Sequence, residues 1–232
     1  MRLFIFPGLG ADERLFAYQK KQIPQIVVPT WLKPLEGESL AEYGKRWAQK
    51  LDITPEDYIG GMSFGGQLAL EMARHKELKG VLLISANRRA SEISSVFRLQ
   101  TRLLNTLPED LVRTALKNMA IPRLERDEKL AAEPVQWLRE MSESMDYSFF
   151  EWSAQAAANW DYEFNSLDFS APIFQVRGEY DNIISVKHPG EVDTIPEAGH
   201  LINYTHPEEL NRWISEKIGL ASSEFEPVTT LG

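Results

Sequence analysis

Short apolar runs alternate along the chain with longer segments of helical periodicity. Five of the runs are almost continuously apolar, as strands buried on both faces of a parallel sheet should be. The sixth alternates apolar and polar residues, which fits an edge strand. The six runs are Leu3–Phe6 and residues 26–28, 57–60, 81–85, 173–176 and 191–195. This alternation predicts an α/β fold, with helices on both faces of a six-stranded, mainly parallel sheet.

Three helical patterns lie between these runs, at Leu40–Lys50, at residues 66–75 and at Pro207–Ile218. Residues 88–165 break the alternation, because they show helical patterns at 95–107, 109–118 and 134–145 but no convincing strand. We call residues 88–165 the helical insertion and expect it to cover one end of the sheet; the alternative is a set of additional core helices. The predicted organisation is a core of residues 1–87 and 166–220, this insertion, and a polar tail at 221–232.

Composition and charge narrow the function. The chain has 232 residues, which suits one α/β domain. Acidic residues outnumber basic ones by 34 to 25, and no basic run exceeds two residues, so we expect no nucleic-acid partner. The chain has no cysteine, which excludes disulfides and thiolate metal sites. The amino-terminal apolar run is interrupted by Pro7 and Gly8 and is too short for a membrane span, so we predict a soluble, cytoplasmic protein without a membrane partner.

A serine stands between a predicted strand and a predicted helix. Gly61-Met62-Ser63-Phe64-Gly65 matches the G-x-S-x-G pattern in the strand–turn–helix context that a nucleophile elbow requires. The flanking glycines leave room for a sharp turn that lifts the Ser63 hydroxyl out of the sheet. Ser63 is therefore the candidate nucleophile; the alternative is a glycine-rich tight turn without chemistry.

A serine hydroxyl needs a base to take its proton. The chain has four histidines, at positions 75, 188, 200 and 206. His200 follows the last predicted strand, and Gly199 allows a tight loop at the carboxyl end of that strand, where ligands bind in open α/β sheets. The other three fall at a helix end, in a His-Pro-Gly turn and at a helix entry, where a structural role is the simpler interpretation. His200 is the candidate base.

The base in turn needs an acid that fixes its tautomer. Asp181 follows the predicted strand at 173–176 and precedes His200 by 19 positions, which leaves room for one turn, one strand and one loop. Glu179 is the nearest rival, with Asp161, Asp168 and Asp193 more distant. The alternative for Asp181 is a turn-capping aspartate.

The order Ser63, Asp181, His200, each after a strand, resembles the α/β-hydrolase superfamily. The resemblance covers residues 3–85 and 171–218 and implies the three-layer α/β-hydrolase fold, without the first two strands and with a short helical cap. It also implies a strand order of 2-1-3-4-5-6 and an oxyanion hole formed by the backbone N–H groups of Leu9 and Phe64. The PGLG loop that holds Leu9 has the alternative interpretation of a simple turn. The exposed edge at residues 26–28 would be covered by the tail or by a second subunit, as in a homodimer.

We expect a small, mostly apolar pocket over Ser63. Its predicted wall residues are Leu9, Trp31, Phe64, Trp152 and Trp160, with Asn87 and Arg88 as polar members; the alternative for the aromatic residues is a place in the core of the insertion. The Arg88-Arg89 pair suggests a contact with a substrate carboxylate; the alternative is the solvated start of a loop.

These features predict a cofactor-free serine hydrolase that cleaves a small carboxylic ester of a small-molecule substrate through an acyl-enzyme. The same triad would also serve the hydrolysis of a C–C bond, a thioester or an amide, or a lyase reaction, and a ligand-binding protein without turnover stays open as a third class. We expect no metal site, because the histidines and acids do not fall at ligand spacings. Gly8-Leu9-Gly10 does not make a nucleotide-binding loop, because Glu13 stands where the third glycine would be.

Overall fold

Six parallel strands form one sheet in the computed structural model, which describes residues 1–104, 106–184, 190 and 192–220. The strands are β1 (Leu3–Phe6), β2 (Ile26–Val27), β3 (Tyr58–Met62), β4 (Gly80–Ile84), β5 (Ile173–Gly178) and β6 (Asp193–Ile195). Their spatial order is β2-β1-β3-β4-β5-β6, and each neighbouring pair is parallel. The predicted sheet and strand order are therefore confirmed.

Successive residues of β1 serve two different cores. Phe4 and Phe6 pack into the core on one face of the sheet, whereas Leu3 and Ile5 pack into the core on the other face. All four are buried, as the side-chain alternation of a central strand requires when helices cover both faces. The sheet thus forms the middle of three layers.

The helices outside the insertion divide between the two faces. They are α1 (Ala17–Gln22), α2 (Leu40–Lys50), α3 (Phe64–Ala73), α9 (Ile202–Thr205) and α10 (Pro207–Ile218). Side chains of α2 and α3 fill the core that contains Phe6, and side chains of α9 and α10 fill the other core. α2 begins at a capping box, in which Ser39 and Glu42 each accept a backbone N–H of the other.

The helical insertion connects β4 to β5. Its helices are α4 (Ser95–Leu104), α5 (Glu109–Ala115), a π-helical turn (Leu116–Ala120), α6 (Ile121–Asp127), α7 (Ala132–Ser144) and α8 (Tyr147–Asn159). Sequence patterns predicted α4, α5 and α7 but missed α8, because its apolar residues lie all round the helix instead of forming one stripe. The π-helical turn joins α5 to α6, so that this helical stretch continues well beyond the predicted end at residue 118.

The strand β2 forms one edge of the sheet. β2 pairs with β1 alone among the described strands. The tail at 221–232, one of the two predicted covers for this edge beside a second subunit, lies outside the described residues, as do His188 and the first residue of the run predicted at 191–195. Within the described ranges, no helix is both long enough and apolar enough to cross a bilayer.

The buried carboxylate of Asp57 ties the start of β1 to the turn before β3. Its Oδ1 accepts the backbone N–H of Arg2 at 2.8 Å, and its Oδ2 accepts Arg2 Nη2 at 2.6 Å and the Thr54 N–H at 3.0 Å. Burial alone would raise the pKa of this carboxyl, but the hydrogen bonds from Arg2 and Thr54 outweigh it and hold the pKa far below its usual value.

Replacing Asp57 with asparagine is expected to lower the free energy of unfolding at neutral pH by about 2 kcal/mol, because charge-assisted hydrogen bonds are lost. A depressed folded-state pKa contributes stability that is present above the unfolded-state pKa, about 4, and is lost as the pH falls through the folded-state pKa. In urea unfolding, the difference between wild type and Asp57→Asn should therefore shrink below about pH 4. Asp52→Asn is the control, since Asp52 is exposed and meets Arg2 through its backbone carbonyl. If the difference in unfolding free energy between wild type and Asp57→Asn stayed constant with pH, the lowered pKa of Asp57 would be contradicted.

Candidate active site

Ser63 is the one residue between β3 and α3, and its backbone is strained. Its φ of 52° and ψ of −118° lie in a region that residues with a side chain rarely adopt. Its N–H donates to the carbonyl oxygen of Ile84 at 3.0 Å, which fixes the turn to the end of β4. This is the backbone geometry of a nucleophile elbow, and it places Ser63 at the carboxyl edge of the sheet.

The glycines on both sides of Ser63 allow this turn because a side chain there would collide with backbone. A Cβ at Gly61 would lie 2.1 Å from the carbonyl carbon of Gly65, and a Cβ at Gly65 would lie 2.1 Å from the Phe6 carbonyl oxygen. The strand before the serine and the helix after it are therefore packed as closely as glycine permits.

His200 and Asp181 form a buried hydrogen-bonded pair at the same edge of the sheet. His200 Nδ1 lies 2.9 Å from Asp181 Oδ2, and both residues are less than a tenth exposed. The other carboxylate oxygen, Oδ1, accepts the backbone N–H groups of Ile183 and Ile184, each at 3.0 Å. With Nδ1 engaged by the acid, Nε2 on the far side of the ring is the nitrogen available to act as a base.

The pKa of Asp181 is lowered despite its burial. Burial is the largest single influence and would raise the pKa, but the hydrogen bond and charge interaction with His200 and the N–H groups of Ile183 and Ile184 together outweigh it. The carboxyl group therefore stays ionised, as an acid that orients an imidazole and stabilises its protonated form must.

The loops that hold the acid and the histidine are packed together. Tyr180 N donates to the Ala198 carbonyl oxygen at 2.8 Å, and a Cβ at Gly178 would lie 2.1 Å from the Gly199 carbonyl oxygen. Among the described residues, no hydrogen bond joins Ser63 to His200. In this conformation the structure thus brings together two of the three predicted triad members by direct contact and leaves Ser63 separate.

The two residues of the predicted oxyanion hole line one cavity with Ser63. A Cβ at Gly8 would lie 3.6 Å from Ser63 Cβ, so the PGLG loop passes directly beside the nucleophile. Phe64 is the first residue of α3, where an N–H group has no partner within the helix. Leu9 and Phe64 therefore lie in the same cavity wall as Ser63, and their N–H groups remain the predicted oxyanion donors.

A cleft opens at Ser63. Its walls come from the PGLG loop, the elbow, the segment after β4, the helical insertion and the turn that caps Asp181. They are formed by Leu9, Ser63, Phe64, Gln67, Asn87, Ile93, Ser94, Phe97, Ala157, Ile183 and Ile184. The insertion thus supplies part of the wall beside Ser63.

Two predicted wall residues belong to the aromatic core behind the cleft. Trp31 donates its indole N–H to the Ala11 carbonyl oxygen at 3.1 Å and packs against Phe149, with ring centroids 4.9 Å apart. Trp152 donates its indole N–H to the Glu38 carbonyl oxygen at 2.9 Å. Neither lines the cleft, because each has its polar end bonded and its rings packed elsewhere.

Two further residues that were predicted for the cleft wall, Trp160 and Arg88, also lie away from the cleft. Trp160 is buried and donates its indole N–H to Glu71 Oε1 at 2.7 Å. Arg88 is buried rather than solvated and extends toward the carbonyl oxygen of Ile173, at the amino end of β5, opposite the edge that carries Ser63. Its guanidinium stacks over the ring of Phe164. The prediction that Arg88 lines the cleft is therefore corrected. Of the two predicted polar wall residues, Asn87 and Arg88, it is Asn87 that lines the cleft.

Gln67 is a cleft residue that sequence reasoning missed. It stands four residues after Ser63 on α3, and residues at that spacing lie on the same side of a helix. Its side chain is buried, and its Oε1 has no hydrogen-bond partner in the described part of the chain. The signal was a polar side chain in a mostly apolar stretch, since Gln67 and Glu71 are the two polar residues from Phe64 to Ala73.

Comparisons with known proteins agree on one fold. A family model described as the alpha/beta hydrolase family matches residues 4–213. An esterase from Thermogutta terrifontis is similar in structure, with 20% identity, a TM-score of 0.69 and coverage of 93% of this chain and 88% of its own. An enol-lactonase from Burkholderia xenovorans has 14% identity, a TM-score of 0.70 and coverage of 94% and 91%. MenH from S. aureus has 15% identity, a TM-score of 0.71 and coverage of 94% and 93%. A comparison with curated proteins found no match.

Over the described ranges, no cluster of three or more histidine, aspartate or glutamate side chains is arranged to hold a metal ion.

Proposed function

Since this chain belongs to the alpha/beta hydrolase family, we propose that it is a serine hydrolase that cleaves a small carboxylic ester through an acyl-enzyme. The observation that carries the proposal is the strained Ser63, held at a strand-to-helix turn in the wall of a cleft that Leu9 and Phe64 also line. Backbone strain of this kind persists only where the surrounding structure enforces it, and it clusters at active sites.

The proposed reaction uses each residue in one role. Ser63 Oγ attacks the ester carbonyl carbon while His200 Nε2 takes the hydroxyl proton, and the N–H groups of Leu9 and Phe64 bind the oxyanion. Nε2 returns the proton to the departing alcohol, which leaves Ser63 acylated. Water then attacks the acyl group with the same proton transfers and releases the acid. Asp181 keeps the proton of His200 on Nδ1 throughout.

The contact between Ser63 and His200 forms when substrate binds, in this proposal. Hydrogen bonds of a catalytic site are often long without substrate and tighten in the reactive complex. The turn that caps Asp181 and the elbow share the walls of one cleft through Ile183, Ile184 and Ser63. A substrate in that cleft would therefore contact both halves of the site and draw them together.

The cleft favours a short, mostly apolar acyl group with one polar point. Leu9, Phe97 and Ala157 provide apolar wall, and burying such surface supplies most of the binding free energy. The amide side chains of Gln67 and Asn87 belong to the same wall, and an amide there would hydrogen-bond a hydroxyl or N–H group on the substrate. The esterase and the enol-lactonase with the same fold support an ester as the reacting bond.

A fluorophosphonate probe tests the proposal directly, since it phosphonylates serines that a base has activated. We expect one label per chain, located on Ser63 by peptide mass spectrometry, and hydrolysis of p-nitrophenyl esters that is fastest for short acyl chains. A thioester, an amide and a vinylogous diketone in the same panel separate the other bond types. Folded protein that takes no label at neutral pH would overturn the proposal.

A further inference from the structure

A carboxylate from the helical insertion holds the backbone of the histidine loop, which we define as Gly199, His200 and Leu201. Glu128 Oε1 accepts the N–H of His200 at 2.8 Å, and Glu128 Oε2 accepts the N–H of Leu201 at 3.3 Å. One charged group therefore binds two consecutive peptide N–H groups, and one of these belongs to the candidate base itself. Such charge-assisted bonds are stronger than those between neutral groups.

The lack of a side chain at Gly199 leaves room for this contact. A Cβ at this position would lie 2.3 Å from Glu128 Oε2 and 2.6 Å from Oε1, closer than real side chains approach. The three nearest atoms to that Cβ all belong to Glu128. The absence of a side chain at 199 thus lets the carboxylate come near enough to reach both N–H groups.

The local structure around Glu128 is unfavourable without the histidine loop. Glu128 caps the carboxyl end of α6, where the helix dipole disfavours a negative charge. The next residue, Lys129, has a φ of 53°, which costs backbone strain for a residue with a side chain. The two costs fall at Glu128 and at the residue after it, and the two hydrogen bonds from the histidine loop to Glu128 offset them.

We propose that Glu128 is a positioning residue that aligns His200 through its backbone and thereby couples the seating of the helical insertion to the base. The proposal rests on His200 being the base of the proposed function. Glu128 touches no reacting atom, because its contacts are with the backbone of the loop. A shift of the insertion would move the carboxylate, free the two N–H groups and let the imidazole leave its alignment with Asp181.

Variants at position 128 give the first test, with p-nitrophenyl esters as the probe. Glu128→Ala is expected to lower kcat between about 10- and 100-fold while KM changes less than about twofold, since misplacement of a catalytic group affects the chemical step. Glu128→Gln keeps one oxygen acceptor in the same shape and should recover part of the loss. Glu125→Ala is the matched control, because Glu125 belongs to the same helix but pairs with Arg139 at 3.6 Å on the surface. Wild-type kcat in Glu128→Ala would overturn the proposal.

A double-variant cycle gives the second test, and its measurement by urea unfolding does not depend on any substrate. Gly199→Ala alone should destabilise the protein and lower kcat, because its Cβ collides with the carboxylate. In the Glu128→Ala background the same change should have little further effect on either quantity, since the obstacle is gone. If the effects of Gly199→Ala and Glu128→Ala on the free energy of unfolding in urea were additive, the proposed contact between Glu128 and the histidine loop would be overturned. If wild type takes no fluorophosphonate label while the cycle is non-additive, the proposed function fails and the contact stands, so the two failures are distinguishable.

Discussion

Replacing Ser63 with alanine is expected to lower kcat for the best p-nitrophenyl ester by about 10⁶-fold, the loss seen when the nucleophile of a serine hydrolase is removed. Ser63 is the one protein group in the proposed reaction that forms a covalent bond to the substrate, so neither His200 nor the two N–H donors can replace it. KM should stay within about threefold, because the cleft walls and the N–H donors keep their positions. Initial rates and burst amplitudes measure the effect, and folding is checked by thermal unfolding.

Ser85→Ala is the matched control for this change. Ser85 follows the neighbouring strand β4, is fully buried and, like Ser63, has a positive φ, of 41°. Its Oγ has no hydrogen-bond partner in the described part of the chain, so its removal should leave kcat unchanged and stabilise the fold slightly. An equal loss of activity in both variants would show that strain at the strand ends, rather than the Ser63 hydroxyl, is what the reaction needs.

The sequence was sufficient for the sheet because each strand carries its own signal. A buried parallel strand is a continuous apolar run, and β1 and α2 have the bounds that their patterns predict. The elbow was predictable for a similar reason, since Gly61, Ser63 and Gly65 are neighbours in the chain and the geometry they require is local. The pairing of His200 with Asp181 followed from topology, because the carboxyl ends of adjacent parallel strands meet at one edge.

Contacts between distant segments were not predictable in this way. Trp160 is as aromatic as a pocket wall requires, and only the tertiary structure shows its indole N–H bonded to Glu71 inside the core. Arg88 lies next to Asn87 in the chain, yet the two side chains face different regions. Glu128 carries no motif, because its role comes from meeting a loop 72 residues away. The sequence can suggest which types of residue a site uses, but tertiary packing decides which individual residues of each type reach the site.

Asp181→Asn is expected to lower kcat by about 10⁴-fold, although the new side chain has nearly the same shape. The two N–H groups of Ile183 and Ile184 require an acceptor at the position of Oδ1, and the asparagine carbonyl oxygen is its only acceptor. The amide NH₂ is then directed at His200 Nδ1, 2.9 Å from the replaced oxygen in the present structure. Nδ1 must accept that bond, so the imidazole proton moves to Nε2, where it blocks transfer from Ser63.

The tautomer itself can be measured, which separates this cause from a loss of fold. Nitrogen NMR of ¹⁵N-labelled histidine should show the proton of neutral His200 on Nδ1 in wild type and on Nε2 in Asp181→Asn. Asp193→Asn is the control, since Asp193 also accepts from a side chain, the indole of Trp213 at 2.7 Å, but lies at the start of β6. We expect that variant to keep wild-type kcat. If Asp181→Asn retained more than about a tenth of wild-type kcat, or kept the proton on Nδ1, the orienting role of Asp181 would have to be abandoned.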